Sequence, residues 1–111
     1  MPRLVFKNME KEEVKKFSLE MSEELSRIIG CPQDWLTFEH LENTVFGGGS
    51  DITMQSLYVE ISWFKREQEI QDRLAAEIHG ALDRQFKGTR EITIIFYELA
   101  KENYYENGEH Y

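Results

Sequence analysis

Residues able to move a proton or hold an anion sit at only a few places in this chain. Pro2 follows Met1. Methionine aminopeptidase removes an initiator Met that precedes a small residue, which leaves Pro2 with a free secondary amine. An ordinary α-amino group titrates at about 7.7–8.0, and a proline amine is intrinsically more basic. Burial in an apolar pocket disfavours the charged amine, and a nearby cation such as Lys65 or Arg66 adds to that effect. Both lower its pKa toward neutrality, where general acid–base transfer works best. Such an amine can take a proton from one atom of a bound molecule and return it to another. The plainer alternative is that Pro2 only begins a strand, where a missing N–H costs little.

Lys65 and Arg66 stand where a strand gives way to a helix. Cations there are reinforced by the helix's first N–H groups and its dipole, an arrangement suited to a carboxylate; the alternative is a solvated basic pair. His40 lies on a strand, and its unperturbed pKa of about 6.5 suits a second acid/base at neutral pH. It equally suits a hydrogen-bonded structural role. Cys31, His40, His79 and His110 have none of the usual metal-ligand spacings, so no metal is expected. Gly47-Gly48-Gly49-Ser50 lacks the Lys-Ser/Thr and the strand-to-helix setting of a phosphate loop and reads as a loose connection. The acidic run Glu10, Glu12, Glu13, Glu20, Glu23 and Glu24, interleaved with lysines, reads as a solvated helix face.

The elements that must position these groups follow from periodicity. Pro2, Leu4 and Phe6 alternate with Arg3, Val5 and Lys7, a strand with period two. Val14, Phe17, Met21, Leu25 and Ile28 recur at three- and four-residue steps and predict an amphipathic helix from Glu10 to about Ile29. Gly30 is placed to end it, and Pro32 follows. Trp35 to Phe46 reads as a second strand and Ser56 to Phe64 as a third, in which Leu57, Val59, Ile61 and Trp63 share a face. Ile70, Leu74, Ile78, Ala81 and Leu82 predict a second helix over Glu67 to Phe86, and Glu91 to Glu98 a fourth strand. The tail can turn tightly at Asn107-Gly108 and add a short strand.

The expected fold is therefore α+β (α/β): two β-α-β units forming a four-stranded mixed sheet with two helices on one face. One domain spans 1–111, with a pseudo-repeat over 2–46 and 56–98 and a C-terminal tail over 99–111. Parallel crossovers of this kind are right-handed in nearly all cases. The other sheet face is expected to present Leu, Phe, Ile and Trp and so to be buried against copies of the same chain, in an oligomer. A ferredoxin-like barrel with antiparallel strands is the topological alternative.

Composition narrows the partners. Lys+Arg number 13 against 21 Asp+Glu, a net charge of −8 that disfavours nucleic acid but leaves room for a small anion held by a few converging cations. The single Cys31 gives no internal disulfide framework and fits a reducing compartment. The first twenty residues carry too many charges for a signal peptide, and no apolar run approaches the ~20 residues of a membrane span. A soluble cytoplasmic protein without membrane contact is expected.

Four segments also carry a likeness: MPRLVF at the start, IIGCP before the second strand, VEISWFKR before the second helix and YYENGEHY at the end. With the β-α-β repeat, they make the chain resemble the tautomerase superfamily, which includes 4-oxalocrotonate tautomerase (4-OT) and macrophage migration inhibitory factor (MIF), and within it a little-characterised bacterial group of about this length. The stretch Tyr97-Glu-Leu-Ala-Lys-Glu-Asn-Tyr104 resembles Thr-Glu-Met-Ala-Lys-Gly-His-Phe of 4-OT. The resemblance implies Pro2 as catalytic acid/base without a cofactor, and Arg66, then Lys65, as carboxylate anchor. It implies Tyr104 as the aromatic wall of the pocket, with Tyr97 and Tyr105 as nearby alternatives. A homotrimer is implied too. Two positions depart from the pattern: Thr93 stands where 4-OT has a second arginine, and Cys31 where MIF has a lysine. Two functions are therefore expected to compete. One is a tautomerase acting on a small anionic keto/enol acid; the other is a non-catalytic trimeric small-molecule-binding or interaction domain of the same fold.

Overall fold

In the computed structural model, which describes residues 2–110, the N-terminal alternation becomes strand β1 (Arg3–Lys7). Met1 and its removal lie outside the described residues. Helix α1 (Lys11–Ile29) starts where the Glu10 N–H donates to Glu13 Oε1 at 2.9 Å. It buries Val14, Phe17, Leu25 and Ile28, while Met21 is only partly covered. It ends at Gly30, whose φ of 82° is the left-handed conformation that a Cβ would strain. The N–H groups of Gly30 and Cys31 both donate to the Ser26 carbonyl, at 2.8 and 3.1 Å, and so turn the chain toward the sheet.

Strand β2 is shorter than its sequence suggests, covering Thr37–Leu41 rather than Trp35 to Phe46. A single helical turn over Gln33–Trp35 precedes it. Beyond Leu41 a side-chain clasp redirects the chain: the Asn8 N–H donates to Asn43 Oδ1 (3.0 Å) and Asn43 Nδ2 to Asn8 Oδ1 (2.7 Å). The glycine segment is not a loose connection. β3 (Phe46–Gly47) and β4 (Ser50–Asp51) form a two-residue hairpin, whose turn needs positive φ at Gly48 (56°) and Gly49 (85°).

β5 (Ser56–Trp63), α2 (Gln68–Gln85) and β6 (Glu91–Glu98) complete the second unit, and the tail folds into a hairpin of β7 (Tyr105–Glu106) and β8 (Glu109–His110). The main sheet has the order β2-β1-β5-β6. β1 runs parallel to β2, and β5 to β6, while the two units meet antiparallel at β1 and β5. This mixed order excludes the fully antiparallel alternative. The helices pack on each other, and Gln85 Nε2 donates to the Glu13 carbonyl (3.2 Å), joining the end of α2 to the start of α1.

The core lies between helices and sheet. Leu4, Phe6, Leu57, Val59, Ile61 and Trp63 are buried there with Leu74, Ile78 and Leu82 of α2. Each such side chain contributes about 1.5–3 kcal/mol relative to exposure. This overturns one expectation: the Leu, Phe, Ile and Trp expected on the uncovered sheet face are in the helix-covered core. By register the open face carries Arg3, Lys7, Glu39, Glu60, Ser62, Thr93 and tyrosines, with Val5, Leu41 and Ile95 among them. Lys7 pairs there with Glu60 at 3.2 Å. Among the described residues no helix is long and apolar enough to cross a membrane.

Candidate active site

Pro2 has a fully buried side chain and sits where β1 begins, its carbonyl accepting the Thr37 N–H at 3.3 Å. The register aligns Arg3 with Thr37 on one side and with Ser62 on the other, so Pro2 lies beside the end of β5. That end supplies Trp63, Phe64, Lys65 and Arg66. Trp63 is buried, with its ring 5.0 Å from that of Phe96.

The half-buried Arg66 guanidinium lies 5.4 Å from the centre of the Trp63 ring, and Nη1 donates to the Phe64 carbonyl at 2.5 Å. No carboxylate pairs with it among the described residues. A guanidinium held over an aromatic face is pre-oriented and keeps donors for an incoming anion. Lys65, by contrast, is exposed. Half-buried Cys31, delivered by the turn after α1, is within electrostatic reach of Arg66. Burial pushes its thiol up, and Arg66 only partly opposes this, so Cys31 remains a neutral thiol at pH 7.

Tyr104 follows a helical turn over Lys101–Asn103, and its ring meets Phe64 edge-on at 5.2 Å. It also interacts electrostatically with Arg3. Tyr97 is exposed on the open face, in the row Arg3–Ser62–Tyr97 across β1, β5 and β6. Tyr105 packs on His110 within the tail hairpin, ring centres 4.2 Å apart.

His40 is elsewhere. It is in register with Phe6, four residues along from the Pro2 level, a displacement of about 13 Å at strand rise. It lines a cleft of about 590 Å³ with Asn8, Glu42, Asn43 and Met54. Thr93 also belongs to that far end, in the row Lys7–Tyr58–Thr93. A cation at position 93 would therefore not face Pro2 of its own chain. The Gly48-Gly49 hairpin adjoins the same end, since β4 leads through a single helical turn (Thr53–Gln55) into the start of β5.

One pair beside Pro2 was not legible from the sequence. Arg3 Nε and Nη2 both donate to the carboxylate of Glu39, the second at 3.2 Å. Only the parallel register shows that these strand residues lie diagonally opposite. The hydrogen bond from Arg3 holds the Glu39 carboxyl below its ordinary value. A depressed carboxylate keeps the pair intact above its usual titration range and loses it only as pH falls through the lowered value. Among the described residues, no cluster of three or more His, Cys, Asp or Glu side chains is arranged to hold a metal ion.

Comparison with known proteins adds the following. A family model, "Domain of unknown function (DUF1904)", matches residues 1–110. No curated protein matches the chain. The crystal structure of a DUF1904 domain from Sebaldella termitidis is 37% identical, with 100% of each chain covered and a TM-score of 0.88. A macrophage migration inhibitory factor homologue from Prochlorococcus marinus is 15% identical over 98% of this chain and 96% of its own, TM-score 0.72. The asymmetric trimer of a fused 4-OT protein is 10% identical over 98% and 94%, TM-score 0.76. At those identities the last two establish the fold: this chain has the MIF and 4-OT architecture.

Proposed function

The chain belongs to the DUF1904 family, and from the surroundings of Pro2 we propose that it is a tautomerase: a cofactor-free catalyst of proton transfer on a small anionic keto/enol acid. The observation that carries this reading is convergence. Pro2 from β1, Arg66 from the loop before α2, and Tyr104 from the tail come to one end of the sheet, around Trp63 and Phe64.

Each group has a task in this reading. Arg66 holds the substrate carboxylate, with exposed Lys65 at the rim. Tyr104 and Phe64 pack the substrate's flat conjugated body, and Tyr97 extends that wall on the open face. In ketonisation of an enolpyruvate the protonated Pro2 amine gives its proton to C3. The C2 hydroxyl loses its own proton to water, and water reprotonates the amine. In the reverse direction the free amine removes the C3 proton. Apolar surroundings and the Arg66 charge both favour the neutral amine, which keeps both forms accessible near pH 7. His40, at the far end, takes no part within its own chain.

The test is ketonisation of phenylenolpyruvate by protein whose intact mass shows Met1 removed; a rate no greater than background sinks the assignment. Arg66→Ala is expected to raise KM about 10- to 100-fold, the worth of a charge-assisted hydrogen bond, with kcat little changed. A fall in kcat at constant KM would remove Arg66 from the anchoring role.

Thr93 and Cys31, uncharged where relatives carry cations, support the second reading: a non-catalytic trimeric domain that binds a small acid with Pro2 as a relic. Both readings include a homotrimer; the fused 4-OT neighbour is described as an asymmetric trimer. Sedimentation equilibrium is expected to give three chains per particle, and a monomer or dimer would count against both. The lone Cys31, with no partner cysteine for a disulfide, supports a reducing, cytoplasmic location, and the net charge of −8 argues against nucleic acid as partner.

A further inference from the structure

We infer that Glu39 is a specificity-determining residue of the Pro2 site, because it occupies Arg3 and thereby leaves room for one substrate carboxylate rather than two. This rests on the location of the site proposed above. Arg3 is the residue next to Pro2, and Tyr104, the aromatic wall of the site, interacts with it. By position Arg3 is the natural holder of a second carboxylate at this end of the sheet. Its guanidinium is already engaged through Nε and Nη2 by the Glu39 carboxylate, a fork that satisfies the same donors a substrate carboxylate would use.

Glu39 is well placed for this. The parallel pairing of β1 and β2 sets Arg3 opposite Thr37, and Glu39 comes two residues later on the same open face, within diagonal reach of a long side chain. The pair is also accessible, with side-chain exposures of 57% for Arg3 and 43% for Glu39. Arg3 is therefore open to competition from a ligand rather than sealed into the core. The other cation of this face, Lys7, belongs to the far end and is paired with Glu60. Arg66 has no carboxylate partner among the described residues and remains as the site's anchor. A ligand with one carboxylate satisfies Arg66 and lays its body against Phe64 and Tyr104. A ligand with a second carboxylate must displace Glu39 or face its charge.

The experiment is calorimetric titration of Met1-free protein with phenylpyruvate, a monocarboxylate, and with 2-oxoadipate, a dicarboxylate. Wild-type protein is expected to prefer phenylpyruvate. In Glu39→Gln, which keeps size and removes charge, the ratio of the two affinities is expected to shift about tenfold toward 2-oxoadipate. Adding Arg3→Ala to Glu39→Gln is expected to abolish that shift. Wild-type protein binding both acids equally, binding neither, or an unchanged ratio in Glu39→Gln would each overturn the inference. Because the readout is binding, the two ideas fail separately. Missing ketonisation with the ratio shift intact defeats the proposed catalysis alone. Ketonisation that depends on Pro2, without a ratio shift, defeats the role of Glu39 alone.

Discussion

Pro2→Ala is expected to lower kcat for phenylenolpyruvate ketonisation by about 10²- to 10⁴-fold, the usual contribution of a positioned general acid/base, with a smaller change in KM. Alanine still leaves an α-amine, so the loss comes from the ring, which fixes the nitrogen at the head of β1 and whose side chain is fully buried. A companion preparation separates basicity from position. Protein retaining Met1 carries Pro2 as an amide, with no basic nitrogen, and its activity is expected to fall to background while its melting temperature stays near that of the processed chain. If Met1-retaining protein turns over as fast as processed protein, as judged by mass spectrometry and initial rates on the same sample, the amine is not the catalytic group.

The second large effect is on stability. Trp63→Ala is expected to cost about 3–5 kcal/mol in denaturant unfolding, within the range for truncating a buried aromatic. Trp63 is 1% exposed, meets the Phe96 ring at a tilt of 35° and carries Arg66 over its own ring. Against a typical domain stability of about 5–15 kcal/mol, such a loss leaves a marginal fold. Trp63→Phe keeps an aromatic face and is expected to lose markedly less. The two variants also differ in function: without an aromatic surface Arg66 is no longer oriented, so KM should rise further in the Ala variant than in the Phe variant. A loss below about 1 kcal/mol in Trp63→Ala would mean that this end of β5 does not carry the core, contrary to the general behaviour of buried aromatics.

Much of the framework was legible because periodicity reports burial directly. The alternation Leu57, Val59, Ile61 and Trp63 and the helical stripe from Val14 to Ile28 each identify a face that water must leave, and the elements formed there. Strand β6 has the bounds expected for it, Glu91–Glu98, and the tail turns at Asn107-Gly108. The segment from Trp35 to Phe46 was harder, because its apolar residues do not alternate cleanly and its course depends on Asn8 reaching Asn43 from another element. Which face of the sheet stays open was also hidden. Alternation separates two faces without saying which one the helices will cover.

The candidate site divides along the same line. Pro2 and the Lys65-Arg66 pair could be put forward from the sequence on local facts, one following Met1 and the other lying between a strand and a helix, with the preference for Arg66 coming from the family resemblance. The sequence by itself determined the two long helices, three of the four main strands and the parallel pairing within each half, since these depend on neighbours along the chain. Tertiary structure decided the rest. The course of the tail set Tyr104 against Phe64, and register joined Arg3 to Glu39 and removed His40 and Thr93 to the far end. A shift of one residue in strand pairing moves every side chain to the opposite face, and that pairing is fixed by core packing across the whole sheet rather than by any local motif.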